Sequence, residues 1–142
     1  MINNMGVAKK KLMVVGNWAV IVKNKKVLMV KRDNQEILGA GTWSIPGGKS
    51  EKGKDCYKNL DREVLEESNL KIKNPRFLLH LAWPRENDWV MGFFWLVDYK
   101  SGQVKLNREH TDYKWISRED AKKIKTTKMV RRILEEAFKN IK

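Results

Sequence analysis

The sequence contains a single cysteine, Cys56, so it cannot form an intrachain disulfide. It has only two histidines, His80 and His110, which lie far apart and lack the spacing of a metal-binding pair. Gly16 and Asn17 interrupt the longest apolar run, which stays well short of the ~20 residues that a membrane span needs. Residues 1 to 11 also lack the apolar core of a secretory signal. We therefore expect a soluble, cytoplasmic protein without a membrane partner.

Acidic residues are scarce as well: the 142 residues include 17 Asp and Glu against 30 Lys and Arg, a formal net charge of +13. Such an excess favours polyanionic partners, which include nucleotides and RNA. A lysine-rich, solvated surface produces the same excess, so both interpretations stay open. The length is typical of one domain, and there are no internal repeats. We predict a single domain over residues 1–142, as a monomer or a homodimer.

The most informative stretch runs from residue 43 to residue 70 and consists of a loop followed by a helix. Pro46, Gly47 and Gly48 mark the loop. Asp55 is the expected N-cap of the helix, and Asn69 the expected left-handed residue at its end. The apolar side chains that share one helical face are Cys56, Leu60, Val64 and, less strictly, Leu65. We interpret Cys56 as a buried structural thiol rather than a nucleophile.

Another face of this helix carries Glu63, Glu66 and Glu67, which are related as i, i+3 and i+4. Their carboxylates converge within one turn, where each like-charged pair costs about 0.2–0.5 kcal/mol. Oxygen ligands on a rigid element beside a glycine-rich loop suit Mg²⁺ or Mn²⁺, and Mg²⁺ in proteins is usually shared with substrate phosphates. The pattern therefore predicts a divalent metal site.

These residues resemble the signature of the Nudix hydrolases. The matching positions are Gly48, Arg62, Glu63, Val64, Glu66, Glu67 and Leu70. Two positions depart from it: Lys54 stands where the first glutamate is expected, and Asn69 replaces the final glycine. The preceding segment, residues 39–48, is also similar to that of family members that act on nucleoside triphosphates.

The resemblance implies an α/β fold, in which a mixed β-sheet lies between helices as an α/β/α sandwich. It also implies divalent-metal-dependent hydrolysis of a phosphoanhydride bond in a nucleoside di- or triphosphate or a related compound. The implied metal ligands are the Gly47 carbonyl, Glu63, Glu66, Glu67 and Glu109, and Asp112 competes with Glu109 for the last place. Glu63 or Glu109 is the expected proton acceptor. Arg62 is expected to orient the glutamates, and Arg32, Lys49 and Gly48 to contact substrate phosphate.

Lys54 leaves the strength of catalysis open, because in the family an acid at this position pairs with the signature arginine or supports the metal. Glu51, in the preceding turn, is a possible replacement. Three hypotheses remain: a nucleotide hydrolase, an enzyme that acts on the 5′ end of RNA, and a weakened domain that only binds nucleotide or RNA.

The remaining pattern alternates strands and helices. The predicted strands cover residues 12–23, 26–32, 89–99 and the end of 107–116. A further strand is predicted within residues 71–83, with Phe77, Leu78, Leu79 and Leu81 as its apolar core. A polar turn is expected at residues 84–88, and Ser117 and Thr127 precede the expected C-terminal helices. Trp83, Trp89 and Trp95 are each candidates to stack on a base, although core packing is the alternative for all three.

Overall fold

The computed structural model describes residues 13–33, 41–51 and 53–142. The strands are β1 (Met13–Lys23), β2 (Lys26–Arg32), β3 (Trp43–Ser44), β4 (Gly47–Lys49), β5 (Lys71–Arg85), β6 (Asp88–Ser101) and β7 (His110–Ile116). The helices are α1 (Cys56–Ser68), α2 (Arg118–Ala121) and α3 (Lys128–Lys139). The predicted strand residue Leu12 and residues 39 and 40 of the segment that resembles other family members lie outside the described residues.

All the strands form one mixed sheet, with the order β3-β2-β1-β6-β5, in which β4 also pairs with β1 and β7 with β2. β1 and β6 are parallel, and the other paired strands are antiparallel. β1 and β2 pair only beside their hairpin, at Val22 with Val27 and Lys23 with Lys26. Farther along, β4 pairs with β1 and β3 pairs with β2. β1 and β2 thus separate away from their hairpin, where β4 and β3 take over the pairing. Helix α1 follows β4 in the chain, beside the point where the two strands separate.

A separate apolar core lies on each face of the sheet. Along β2, Val27 and Met29 belong to the core that includes α3, whereas Leu28 and Val30 belong to the core that includes α1. All four are fully buried, as their continuous apolar run predicts. α1 contributes Leu60 and Val64 to its core, and α3 contributes Val130, Ile133, Leu134, Ala137 and Phe138 to the other. The predicted α/β/α arrangement is confirmed.

The ends of α1 are formed by the residues that the sequence predicts. Oδ1 of Asp55 accepts a hydrogen bond from the backbone N–H of Lys58 at 2.8 Å. Asn69 ends the helix in the left-handed region, with φ 63°, where asparagine is better tolerated than most residues. Helix α2 begins with a capping box between Ser117 and Asp120. The start and end of the signature helix are therefore fixed by local side chains.

The predictions for β5 and for part of the α1 face are wrong in detail. The predicted turn at residues 84–88 is shorter, because β5 continues to Arg85 and Pro84 pairs with Trp89. A proline is tolerated there because β5 is an edge strand and need not donate on its open side. Phe77 of the same strand is 53% exposed, and Leu65 of α1 is 47% exposed. Cys56 is only half-buried.

No helix in the described part of the chain has both the length and the apolar character required to cross a membrane.

Candidate metal and phosphate site

The floor of the site is strand β4, where glycine is required by close packing. Gly47 pairs with Trp18 of β1, and a Cβ atom at Gly47 would overlap the backbone of Asn17 and Trp18. A Cβ atom at Gly48 would lie 2.9 Å from the carboxyl carbon of Glu63. The two glycines therefore allow the β4 backbone to approach β1 on one side and α1 on the other.

Glu67 is the carboxylate that α1 directs into this junction. It is 4% exposed, and its Oε2 accepts a hydrogen bond from the backbone N–H of Gly47 at 2.8 Å. Burial raises the pKa of Glu67 to about 9, and the nearby charges of Glu109 and Glu63 add to the effect. A hydrogen bond to the Glu109 side chain raises this pKa further, whereas the Gly47 N–H opposes the rise. The site thus holds a carboxylate whose negative charge is disfavoured by its surroundings.

Glu63 is in a similar but milder position. Burial raises the pKa of its carboxyl group, and the charges of Glu66 and Glu109 contribute, while Arg62 counteracts them. Three carboxylates from two distant parts of the sequence, Glu63, Glu67 and Glu109, therefore influence one another; we call them the carboxylate cluster.

Pairing between β2 and β7 brings Glu109 to α1. Arg32 at the end of β2 pairs with His110, and the backbone N–H of Asp33 donates to the Glu109 carbonyl at 3.1 Å. Asp112 lies two residues farther along, opposite Lys31, and its carboxylate accepts from the N–H of Tyr113 at 2.7 Å. The structure thus places Glu109, and not Asp112, in contact with Glu67.

A second group of charges lies on the outer side of α1 and is paired. Arg62 contacts both carboxylate oxygens of Glu66 at 3.2 Å, Glu63 at 3.1 Å and Glu51 at 3.4 Å. Glu51 also contacts Lys54 at 3.1 Å. We call Glu51, Lys54, Arg62 and Glu66 the ion-pair network. Arg62 thereby joins it to Glu63 of the carboxylate cluster.

A family model for the NUDIX domain matches residues 13–137, which is most of the chain. The chain belongs to the Nudix hydrolase family. Its curated relatives include the NAD-capped RNA hydrolase NudC of Mannheimia succiniciproducens, which is 32% identical over 98 residues, and that of Actinobacillus succinogenes, which is 35% identical over 96 residues. These matches cover 67% and 66% of this chain but 36% of each relative. The chain thus spans about a third of the length of the curated relatives it matches.

Solved structures agree with the observed Nudix fold. The MutT protein from Methanosarcina mazei Go1 matches with a TM-score of 0.79 and 25% identity, covering 94% of this chain and 97% of that one. A MutT Nudix hydrolase from Burkholderia pseudomallei matches with a TM-score of 0.77 and 22% identity, covering 89% and 98%, which supports the fold.

The departure from the Nudix signature at Lys54 is accommodated within the ion-pair network. Although Lys54 replaces the acid, Arg62 still has an acidic partner from this loop, because Glu51 contacts both Lys54 and Arg62. Lys54 and Arg62 together lower the pKa of Glu51, which lies in solvent. An acid three residues earlier thus occupies a place beside the signature arginine.

Asn59 is a structural residue of this site that the sequence does not single out. It is fully buried in the first turn of α1. Its Oδ1 accepts from the N–H of Glu51 at 3.0 Å, and its Nδ2 donates to the carbonyl of Asp55 at 3.0 Å. It therefore fixes the loop that carries Glu51. The sequence feature that indicates this role is an asparagine side chain directly before Leu60, at the boundary of the apolar face of the helix.

Other predicted residues have different surroundings. Lys49 is exposed on β4, and Arg32 lies at the end of β2 beside His110. Trp95 is buried, and its Nε1 donates to Oδ1 of buried Asn17 at 2.9 Å, so it is a core residue. Trp83 packs against Trp18, with ring centroids 5.6 Å apart, and Trp89 is 52% exposed.

The donors of the site fit a hard divalent cation in chemistry and in charge. Nudix hydrolases generally use divalent metals, and the carboxylate cluster offers oxygen ligands whose mutual repulsion a cation would relieve. Among the described residues, no three Asp, Glu, His or Cys side chains are already arranged to hold a metal ion. Glu67 and Glu109 thus form a contacting pair, and Glu63 lies near it. The three carboxylates do not yet have the arrangement of a complete metal-ligand set.

Proposed function

We propose that the chain hydrolyses a phosphoanhydride bond in a nucleoside di- or triphosphate or a related nucleoside diphosphate compound, with Mg²⁺ or Mn²⁺ as cofactor. The observation that carries the proposal is the buried carboxylate of Glu67, which the charges of Glu109 and Glu63 surround. Such an arrangement is unfavourable by itself, and a divalent cation offsets its charge. We also propose that residues 1–142 form one domain that acts in the cytoplasm.

The roles follow from the positions of the side chains. Glu63, Glu67 and Glu109 would hold the cofactor, together with Glu66 and the carbonyl of Gly47. When bound there, the ion would supply positive charge that offsets the charge of the phosphate oxygens. Gly48 presents its backbone to the substrate beside Glu63, because a side chain at this position would overlap the Glu63 carboxylate.

Cations around the cluster serve the substrate and the ligands differently. Arg62 fixes the carboxylates of Glu63 and Glu66 through its ion pairs. Lys49 and Arg32 lie on β4 and at the end of β2, which border the cluster, and bind substrate phosphate. Glu63 or Glu109 accepts the proton of the attacking water.

The test is turnover of a panel of nucleoside triphosphates, dinucleotides and 5′-triphosphate RNA with Mg²⁺ or Mn²⁺. We expect metal-dependent release of phosphate or pyrophosphate that is lost in Glu67→Gln and kept in Glu119→Gln, a matched change of an exposed glutamate on α2. Absence of turnover across the panel would leave the binding-only hypothesis. Raising the metal concentration separates the roles of Glu63 and Glu109, because it restores a variant that lacks a ligand but not one that lacks the proton acceptor.

A second candidate function is hydrolysis at the 5′ end of RNA. It is favoured by the net charge of +13 and by curated relatives that are named NAD-capped RNA hydrolases. Contacts between Lys or Arg and several phosphates make binding strongly salt-dependent. We expect the KM for a 5′-triphosphate RNA to rise steeply with salt, and more steeply than the KM for the free nucleotide.

A further inference from the structure

The sheet face that carries α1 is covered only in part. Helix α1 packs on the middle of this face through Leu60 and Val64. Beyond it, large apolar side chains of β1, β5 and β6 remain in solvent. These are Met13 at 52% exposure, Val15 at 37%, Phe77 at 53% and Trp89 at 52%. A contiguous exposed apolar area of this kind marks a surface that binds a ligand or a macromolecular partner.

Five side chains at the centre of this area, one of them buried, form a continuous set of rings. Phe77 lies 6.3 Å from Phe93 and 6.4 Å from His80, measured between ring centroids. Phe77 also meets Trp95 edge-on at 5.6 Å, and the ring of Tyr57 in α1 lies 4.9 Å from that of Trp95. Trp95 is buried, whereas Tyr57, Phe77 and His80 are exposed and Phe93 is half-buried. We call Tyr57, Phe77, His80 and Phe93 the aromatic surface.

The strand register places the aromatic surface in line with the metal and phosphate site. His80 pairs with Phe93, Phe93 with Asn17, and Asn17 with Gly48. Adjacent strands are about 4.8 Å apart, so Phe93 lies about 10 Å and His80 about 14 Å from Gly48 across the sheet. Asn17, between them, is buried and hydrogen-bonded to Ser50, so a chain bound through its terminal phosphates beside Gly48 crosses the loop after β4 to reach this surface.

The charge of the protein decides between the possible occupants. Two copies facing each other here would bring together two chains of net charge +13, which opposes association. A nucleic acid has the opposite charge, and single-stranded bases stack on exposed aromatic rings without regard to sequence. Exposed Lys58 follows Tyr57, and exposed Lys73 lies on β5 before Phe77. At the far end, Glu86 and Asp88 precede Trp89, so that end is less favourable for a polyanion.

We propose that the aromatic surface binds single-stranded RNA, namely the nucleotides that follow the 5′ phosphates held at the glutamate site. The inference deepens the second candidate function, hydrolysis at the 5′ end of RNA, and rests on it for the identity of the substrate. Phe77, His80 and Phe93 bind bases by stacking, and the surrounding lysines offset backbone phosphates. The Trp89 end of the same sheet face takes no part.

The test measures binding of a fluorescent oligouridylate with a 5′-hydroxyl end to the full chain in EDTA, so that no step depends on catalysis. We expect Phe77→Ala to weaken binding by about fivefold to a hundredfold, the range for one lost base–aromatic stack. Trp89→Ala, which removes an equally exposed ring, is expected to leave binding unchanged. Equal effects of the two variants, or no effect of Phe77→Ala, would overturn the proposal. If Phe77→Ala fails to fold, His80→Ala replaces it with the same expectation.

Two further measurements separate the alternatives. Sedimentation of the wild type and Phe77→Ala without RNA tests for a second copy: loss of a dimer in the variant would make this face an interface between copies and refute the proposal. The second measurement is the turnover of 5′-triphosphate RNA and of the free nucleotide by the wild type and Phe77→Ala. We expect Phe77→Ala to lose more kcat/KM on RNA than on the nucleotide. A wild type without any turnover would refute the proposed function. The binding measurement would still show whether the aromatic surface binds RNA.

Discussion

The two groups of charge on α1 differ in how they are balanced. The ion-pair network of Glu51, Lys54, Arg62 and Glu66 lies largely in solvent, and each acid in it contacts a cation. In the carboxylate cluster, Glu67 is buried with the carboxylates of Glu109 and Glu63 as its charged neighbours. Arg62 contacts Glu63, whereas the largest effects on the pKa of Glu67 come from burial, Gly47, Glu109 and Glu63. The first group is neutralised by the protein, whereas the second requires a proton or a cation.

This difference indicates which group performs the chemistry and which supports it. Exposed ion pairs are worth only about 0–1 kcal/mol each, so the network is a weak source of stability. Its Arg62 positions Glu63, and Glu66 is the one member of the network that we propose as a metal ligand. A buried carboxylate with a strongly raised pKa and charged neighbours in a junction of two elements is typical of a functional site.

Glu67→Gln is expected to reduce metal-dependent turnover by about a hundredfold or more, because it removes a charged ligand from the buried centre of the cluster. The amide oxygen can still accept the hydrogen bond from Gly47, so the backbone of β4 should keep its position. Initial rates at saturating Mg²⁺ measure the effect. Turnover close to that of the wild type would remove Glu67 from the metal site.

Glu109→Gln is expected to raise the Mg²⁺ concentration needed for half-maximal activity by about tenfold to a hundredfold. Asp112→Asn is the matched control on the same segment and should shift it by less than about twofold, since Asp112 caps Tyr113 instead. A metal titration of both variants measures the difference. The reverse order would show that the loop supplies Asp112 as the ligand.

Glu51→Gln is expected to lower kcat by up to about tenfold, because Arg62 and Lys54 then lose the acid that they share. Lys54→Glu alone should change kcat by less than about threefold, since Glu51 already pairs with Arg62. Combined with Glu51→Gln, Lys54→Glu should restore most of the loss by returning an acid to the signature position. A double variant that is no faster than Glu51→Gln would mean that Glu51 does not replace the signature acid.

The elements of the fold followed from local patterns wherever the determinants are close in sequence. The spacing of Leu60 and Val64, the cap at Asp55 and the asparagine at residue 69 suffice to define α1. The exposure of Phe77 was missed because it depends on strand order: β5 is an edge strand, and α1 packs elsewhere. The residues around Phe77 in the sequence do not indicate whether a helix packs over it.

The site was predictable in composition but not in geometry. Helical spacing groups Glu63, Glu66 and Glu67 without showing that Glu67 is buried and Glu66 is held in solvent by Arg62. That distinction depends on the direction from which β4 meets the helix. Glu109 was proposed from resemblance alone, because its contact with Glu67 requires the pairing of β2 with β7.

The central claim is that the carboxylate cluster is unfavourable until a cation binds, and thermal unfolding with and without Mg²⁺ tests it most directly. The pKa of Glu67 lies at about 9 in the folded chain and near 4.5 when unfolded, so the folded chain retains a proton that the unfolded chain loses between these values. Stability in EDTA should therefore fall as pH rises from about 4.5 to about 9, and Glu67→Gln should flatten this dependence and raise Tm at pH 8. Mg²⁺ should then stabilise the wild type much more than the variant. A variant that is less stable than the wild type in EDTA at pH 8, and that gains as much from Mg²⁺, would contradict the claim.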